Sequence, residues 1–260
     1  MTPLDTAHAA MQAAPDDDTA RLRFYERLAD GELFLLLESE AKGDSLTPQV
    51  FDLEGGPVVL VFDLEERLAA FTGIPAPYAA MPGRVIAAHL AGQGIGLGLN
   101  LGVAEAAMLL PPEAVDWLAE TLDNPPEAVE ARPVAFHAPD LAEALLTGLD
   151  AKLARAGGLA DHALLAGVSY DDGSTGLVLA FIDTAPGAEA PLARAAGEAL
   201  TFSGLDQGGI DVIFLAATDA ATAPLTKVAL RFDLPQPEVP ETITPIAPGS
   251  DPDNPPKLRW

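Results

Sequence analysis

The sequence has 260 residues, 49% of them hydrophobic and 20% charged, which is an ordinary globular composition. It contains no cysteine, which excludes disulfides, thiolate catalysis, cysteine-bound zinc and iron–sulfur clusters. Its 39 acidic residues against 14 basic ones give a net charge of −25, and such a surface repels phosphate backbones and anionic membranes. We therefore expect that neither a nucleic acid nor a membrane is a partner.

The sequence predicts neither a secretory signal nor a membrane-spanning helix. The N-terminus lacks a basic start and a continuous apolar core. No run of about 18 apolar residues occurs, and the nearest approach, residues 95–110, is interrupted by Gly96, Gly98, Asn100, Gly102 and Glu105. Together with the lack of cysteine, these features lead us to expect a cytoplasmic protein.

The first half of the chain is predicted to mix helices with short strands. Its predicted helices cover residues 2–13, 18–29, 64–71, 82–90 and 111–122. Its predicted strands cover residues 32–37, 49–53, 58–62, 95–99 and 106–110. Thr2 and Asp63 are expected to be N-caps. Pro75-Ala76-Pro77-Tyr78 is expected to be a rigid surface loop, and the alternative is one wall of a groove.

The second half follows a predicted domain boundary at Asp123-Asn124-Pro125-Pro126, where two prolines stiffen the connection. Strands are predicted over residues 133–137, 162–170, 176–182 and 210–216, with an edge strand over 229–234. Helices are predicted from Asp140, as N-cap, to Arg155 and over residues 190–203. The order β-α-β-β-α-β is that of a ferredoxin-like arrangement, which is the topology we predict for this half.

These patterns predict an α+β, mixed α/β protein of two domains and a tail. The N-terminal domain is assigned residues 1–124 and the C-terminal α+β domain residues 133–235. Residues 236–260 form a Pro-rich tail, since they have few apolar residues and no helical or strand period.

Several elements of the first half resemble the N-terminal domain of the SseB family, the serine-sensitivity-enhancing proteins. They are the strand within Asp30–Leu37, the strand Val58–Asp63 and the helix that carries Arg67, Leu68 and Phe71. Asn100-Leu101-Gly102 stands where the family has an Asn-Pro-Gly element, with Leu101 replacing the proline. The resemblance covers residues 18–122, and residues 133–234 are compatible by pattern with that family's C-terminal domain.

The resemblance implies a bacterial cytoplasmic protein. The matching motifs are structural, namely two strands, a helix and a turn, and they supply no active site to carry over. The resemblance implies no cofactor.

Three features of the sequence resemble known binding or catalytic motifs, but their spacing or their structural context does not match those motifs. The glycines from Gly92 to Gly98 do not fit G-x-G-x-x-G and alternate within an apparent strand, so we expect a strand with one bare face, packed closely under a helix or backbone. Gly167-Val168-Ser169-Tyr170-Asp171 lacks the final glycine of a nucleophile elbow, and a hairpin turn follows it. The four histidines are far apart in sequence, so we expect no metal site.

Two functional hypotheses remain. The first is a non-enzymatic protein–protein interaction or regulatory module, because the chain offers two cores, no chemical constellation and a strongly acidic surface. The alternative is a small-ligand-binding protein or enzyme with its site in a cleft between the domains. Its candidate ligand-binding residues are Arg67, Arg84, His89 and Asn100, which lie near predicted element ends.

The tail ends in a basic, aromatic tip that reverses the local charge. Lys257, Arg259 and Trp260 are the candidate partner-binding residues, and the tip would be attracted to an acidic surface of its own chain or of a second copy. The expected partner is therefore an unidentified protein or a second copy of the chain, and the alternative is a tail without a contact.

Overall fold

The computed structural model describes residues 1–41, 43, 45–124, 133–204 and 209–236. The helices within them are α1 Pro3–Ala13, α2 Asp18–Asp30, α3 Glu65–Thr72, α4 Gly83–Leu90, α5 Pro112–Leu122, α6 Glu143–Leu153, α7 Glu189–Ser203 and α8 Thr222–Thr226. The strands are β1 Glu32–Leu36, β2 Val50–Leu53, β3 Gly56–Phe62, β4 Tyr78–Pro82, β5 Gly96–Leu99, β6 Met108–Leu110, β7 Pro133–His137, β8 His162–Tyr170, β9 Thr175–Ile182, β10 Ile210–Leu215 and β11 Leu230–Asp233.

The N-terminal region is built on a six-stranded mixed sheet with the order β4-β1-β3-β5-β6. Strands β1 and β2 both lie antiparallel to β3, on its second and first halves respectively. Strand β5 pairs with β3 in parallel, and the other pairs are antiparallel. The parallel pair needs a long crossover, and α3, β4 and α4 lie within it.

The two faces of this sheet are covered unequally. Alternate side chains such as Leu33, Leu35, Val59 and Val61 point to one face, where α1, α2, α4 and α5 bury them. The opposite face carries a smaller buried cluster, formed by Leu36, Val58, Leu60, Phe62 and Leu68. In the described part of the chain, α3 is the one helix that contributes to this second cluster.

Strand β5 contains two of the glycines noted in the sequence, Gly96 and Gly98. A side chain at Gly98 would collide with the side chains of Leu60 and Leu101, each 2.7 Å from the position of its Cβ, and one at Gly96 would lie 2.6 Å from the carbonyl oxygen of Leu110. The predicted close packing against backbone is therefore found at Gly96, whereas Gly98 packs against side chains. Gly92 and Gly94 precede the strand and have positive φ angles of 73° and 67°.

The C-terminal region is a five-stranded sheet with β10, β9 and β8 in order. Strands β7 and β11 pair end to end with the two halves of β8, on the same side of it. Helices α6 and α7 pack on one face with Leu145, Leu149 and Leu192, while α8 lies on the other.

The α+β class with two sheet-bearing regions is confirmed, but the ferredoxin-like arrangement is not. That arrangement places another strand between the two parallel strands of each βαβ unit. Here β9 and β10 pair directly and in parallel across α7, and β7 pairs antiparallel with β8.

Three smaller predictions differ from the structure. Tyr78 begins strand β4 and is not part of a loop. Leu64 and Ala142 are the N-cap residues of α3 and α6, in place of Asp63 and Asp140. The Asp63 carboxylate pairs with Arg67 instead of capping the helix. The predicted boundary runs into residues 125–132, which lie outside the described residues, as does the tail from residue 237.

Candidate functional site

Five charged side chains join the two regions, and we call them the linking cluster: Asp30, Arg84, Lys152, Arg155 and Glu198. Lys152 Nζ lies 2.8 Å from Asp30 Oδ2 and 2.6 Å from Glu198 Oε2. Arg84 pairs with the same two carboxylates, at 2.9 Å from Glu198 Oε2, and Arg155 lies 3.0 Å from Asp30 Oδ2. Each carboxylate is therefore shared by cations from both regions.

The backbone at the start of α4 places Arg84 in this cluster. A side chain at Gly83 would overlap the carbonyl oxygen of Leu28, so α4 begins in direct contact with α2. The Gly83 N–H donates to the carbonyl of Gly31 at 3.0 Å, which fixes this approach. Asp30, the last residue of α2, is thereby brought beside Arg84.

The contact between the regions is mixed in character. Phe202 of α7 is 2% exposed and belongs to the core cluster of the N-terminal sheet. The Arg23 guanidinium donates to the carbonyl of Ala144 at 3.1 Å. An apolar anchor and buried ion pairs thus hold the two regions together.

The buried charges shift one another's ionisation. Burial by itself raises the pKa of Asp30 and of Glu198, but the neighbouring cations Lys152 and Arg84 outweigh it and hold both pKa values below their ordinary range. Glu26, one turn before Asp30 on α2, behaves oppositely. Burial raises the pKa of Glu26, and its Oε1 has no hydrogen-bond partner among the described residues.

A cavity of about 580 Å³ lies beside the linking cluster and is lined by both regions. Arg84 and His89 of α4 face it together with Arg194 of α7, while Glu120 and Asp123 supply negative charge. The Nδ1 of His89 donates to the carbonyl of Val85 at 2.7 Å, so its Nε2 is the ring nitrogen left to meet a ligand.

Arg67 and Asn100 lie elsewhere and both contact Asp63, at the carboxyl ends of the parallel strands β3 and β5. The Asp63 N–H donates to Asn100 Oδ1 at 3.2 Å, and Asp63 Oδ1 accepts from Arg67 at 2.6 Å. Arg67 also forms a bidentate pair with Asp5 of α1, and this pairing lowers the pKa of Asp5 to about 2. These contacts anchor α1 to the sheet.

The four ligand-binding candidates therefore fall into two separate pairs. Arg84 and His89 share the inter-region cavity. Arg67 lines a different cavity of about 370 Å³, and Asn100 is fully buried in the sheet. The partner-binding candidates Lys257, Arg259 and Trp260 lie outside the described residues.

A further surface is formed where α3 and β4 meet. Strand β4 is an edge of the N-terminal sheet, paired with β1 alone among the described strands. Leu37 N–H donates to Pro77 O, and Gly83 N–H donates to Gly31 O, so the odd-numbered residues of β4 face β1. The N–H and C=O groups of Tyr78 and Ala80 therefore point to the open edge.

Beside this edge lies an apolar hollow of about 410 Å³, which we call the α3–β4 groove. It is lined mainly by Leu68, Ala69, Ile74, Pro75, Ala76 and Tyr78. Ile74 is 72% exposed and Tyr78 is 39% exposed, so the groove presents two large side chains to solvent next to the sheet edge. The Tyr78 hydroxyl donates to Glu65 Oε1 at 2.9 Å, which raises the pKa of Tyr78 and places an acid in the wall.

The sequence predicts a surface loop at Tyr78, and it predicts neither the open edge of β4 nor the linking cluster. The alanines of β4 have weak strand propensity and follow two prolines, so periodicity gave no strand signal there. The residues of the linking cluster are far apart in the sequence, and a single sequence does not indicate which distant residues come into contact. In the part of the chain that the structure describes, no group of three or more metal-ligating side chains occurs, and no helix is long and apolar enough to cross a bilayer.

The N-terminal region is thus a mixed-sheet α+β unit with helices mainly on one face. Residues 4–117 match the family model of the SseB protein N-terminal domain. The match assigns residues 4–117, and not the rest of the chain, to the SseB protein N-terminal domain. No curated protein and no solved structure matches the chain.

Proposed function

We propose that the chain is a non-enzymatic interaction module that binds an extended segment of a partner protein at the α3–β4 groove. The observation that carries the proposal is the open edge of β4 beside that groove. An added strand would accept and donate hydrogen bonds at Tyr78 and Ala80. Its apolar side chains would enter the hollow between Ile74 and Tyr78. This is strand addition, in which backbone bonds give affinity and side-chain pockets give specificity.

Charge supports one kind of partner segment. The net charge of the chain is −25, and Glu65 stands in the wall of the groove. No Lys or Arg is among the residues lining the groove. A segment that alternates apolar residues with Lys or Arg would be attracted at long range and seated by its apolar side. The proposed setting is the cytoplasm of a bacterium, which the match of residues 4–117 to the SseB protein N-terminal domain supports.

A matched pair of proline variants tests the strand-addition step. Ala80→Pro removes an N–H that points to the open edge, so it should leave the fold intact and abolish binding. Ala79→Pro removes an N–H that faces β1 and should destabilise the sheet. The probe is a displayed library of random octapeptides, panned against the intact protein.

The expected result is enrichment of alternating apolar and basic sequences. Their binding should fall at least tenfold in Ala80→Pro and in Ile74→Asp. Val134→Asp, which changes an equally exposed residue of β7, should have no effect. Peptides that bind Ala80→Pro and Ile74→Asp as tightly as the parent, or an unenriched library, would refute the proposal.

A second candidate function is supported by the inter-region cavity. Arg84, His89 and Arg194 converge on it from both regions, which suits a small anionic ligand. Arg194 has no hydrogen-bond or ion-pair partner among the described residues, whereas Arg84 already holds two carboxylates. Titration calorimetry with inorganic phosphate and with succinate should detect binding that Arg194→Ala removes. Heat that persists unchanged in Arg194→Ala would rule this site out.

A further inference from the structure

The chain itself contains a segment with the chemistry that the groove selects. Its last four residues are Lys257-Leu258-Arg259-Trp260, which alternate basic and apolar side chains. In an extended strand, Leu258 and Trp260 would lie on one face and the two basic residues on the other. Pro255 and Pro256 precede them, so the stretch able to donate every backbone N–H begins at Lys257. Its length suits the short edge of β4.

We infer that Lys257–Trp260 adds to the open edge of β4 in the same molecule, with Trp260 seated in the α3–β4 groove. The inference rests on the proposed function, because the tail would take the place of the partner segment and compete with it. The −25 net charge of the chain attracts the two cations of the tip. Trp260 supplies the large apolar side chain that the hollow between Ile74 and Tyr78 can hold.

The tail is long enough to reach the groove. Gln236 is the last described residue before it, and residues 237–260 include seven prolines. A Pro-rich chain spans about 3 Å per residue, so about 70 Å are available. A folded chain of this size has a radius of gyration near 18 Å, so every surface lies within that span. Tethering also gives an effective concentration that can reach the millimolar range, so a weak tetrapeptide contact suffices.

Trp260 provides its own probe in the intact chain. The sequence has two tryptophans, and Trp117→Phe leaves Trp260 as the single emitter. Trp117 packs edge-on against Tyr25 at 5.0 Å, so phenylalanine keeps most of that contact. We expect blue-shifted emission from Trp260 and several-fold weaker quenching by acrylamide than in the unfolded chain. Ile74→Asp and Ala80→Pro should each bring the quenching to the unfolded value, whereas Val134→Asp should not.

Concentration and competition complete the test. Shielding of Trp260 should be the same at nanomolar and micromolar protein, and shielding lost on dilution would overturn the intramolecular contact. Removing residues 237–260 should strengthen binding of the enriched octapeptides several-fold. A quenchable Trp260 in a protein whose groove still binds those peptides would refute the inference and leave the proposed function standing. Octapeptides insensitive to Ile74→Asp and Ala80→Pro would refute the proposed function itself.

Discussion

The ammonium of Lys152 lies 2.8 Å from the carboxylate of Asp30, so a cation of α6 neutralises an acid at the end of α2. Both side chains are nearly inaccessible, with exposed fractions of 5% and 6%. Both ions lost their hydration when the two regions came into contact. The free-energy cost of that desolvation is offset only if every buried charge has an oppositely charged partner. Removing either Lys152 or Asp30 should therefore weaken the contact between the regions.

Replacing that cation should be costly. Lys152→Met keeps the aliphatic stem but leaves Asp30 and Glu198 with fewer cations, and we expect the free energy of unfolding to fall by about 3 kcal/mol. Urea titration followed by circular dichroism measures it. Arg231→Met breaks an exposed pair with Asp233 and should cost less than about 1 kcal/mol. Equal losses in the two variants would contradict the account of the buried pair.

Glu26 should oppose folding at neutral pH. Its folded-state pKa is raised by burial, so the cost is present above the unfolded pKa, near 4.3, and disappears below it. Glu26→Met should raise the free energy of unfolding at pH 7, and the gain should shrink at pH 4. Urea titrations at both pH values measure this, with the exposed Glu66→Met as control. A loss of stability at pH 7 would mean that attraction to Lys152 dominates.

Asp5 should have the opposite dependence on pH. Hydrogen bonding from Arg67 lowers the pKa of Asp5 to about 2, so its contribution to stability is complete above the unfolded pKa near 3.9 and is lost as the pH falls towards 2. Asp5→Asn should lower the thermal midpoint at pH 5, and the difference from the parent should narrow by pH 2.5. Asp16→Asn, at an exposed position, is the control. A difference that is constant with pH would contradict the assignment.

Asn100 can be dissected with two substitutions. It holds a left-handed backbone conformation, with φ of 50°, while its Oδ1 accepts from the Asp63 N–H. Asn100→Gly keeps the left-handed conformation accessible but removes the hydrogen bond, and it should lower the free energy of unfolding by about 1 kcal/mol. Asn100→Ala should cost about 1 kcal/mol more, because alanine resists this conformation. Equal losses of unfolding free energy would show that the backbone is not under this constraint.

Elements with strong local patterns were predicted well. The long apolar runs of β8 and β9, separated by Asp171-Asp172-Gly173-Ser174, gave a hairpin close to the observed one. Thr2 was predicted as the cap of α1, and the structure completes a capping box between Thr2 and Asp5. In these cases the residues that define the element are adjacent in sequence, so one sequence contains the whole signal.

Features made by distant residues were not predictable in the same way. The chain order β-α-β-β-α-β is compatible with more than one spatial order of strands in a sheet. The sequence therefore does not determine that β9 pairs with β10. The sequence suggested Arg84 as a ligand-binding residue, but its partners Asp30 and Glu198 become visible only when α2, α4 and α7 are packed. The candidate Arg67 is likewise committed to Asp5 and Asp63.

The end-to-end pairing of β7 and β11 on β8 has a consequence for how the C-terminal sheet forms. The first half of β8 pairs with β11, whereas its second half pairs with β7, from the opposite end of this region's sequence. Such long-range pairings close late, because their loop entropy is lost before the contacts form. During synthesis, the first half of β8 can pair with β9 but keeps its other edge unpaired until residue 233 has emerged. The N-terminal sheet, complete by residue 110, has by then had time to fold and to serve as the surface on which Phe202 settles.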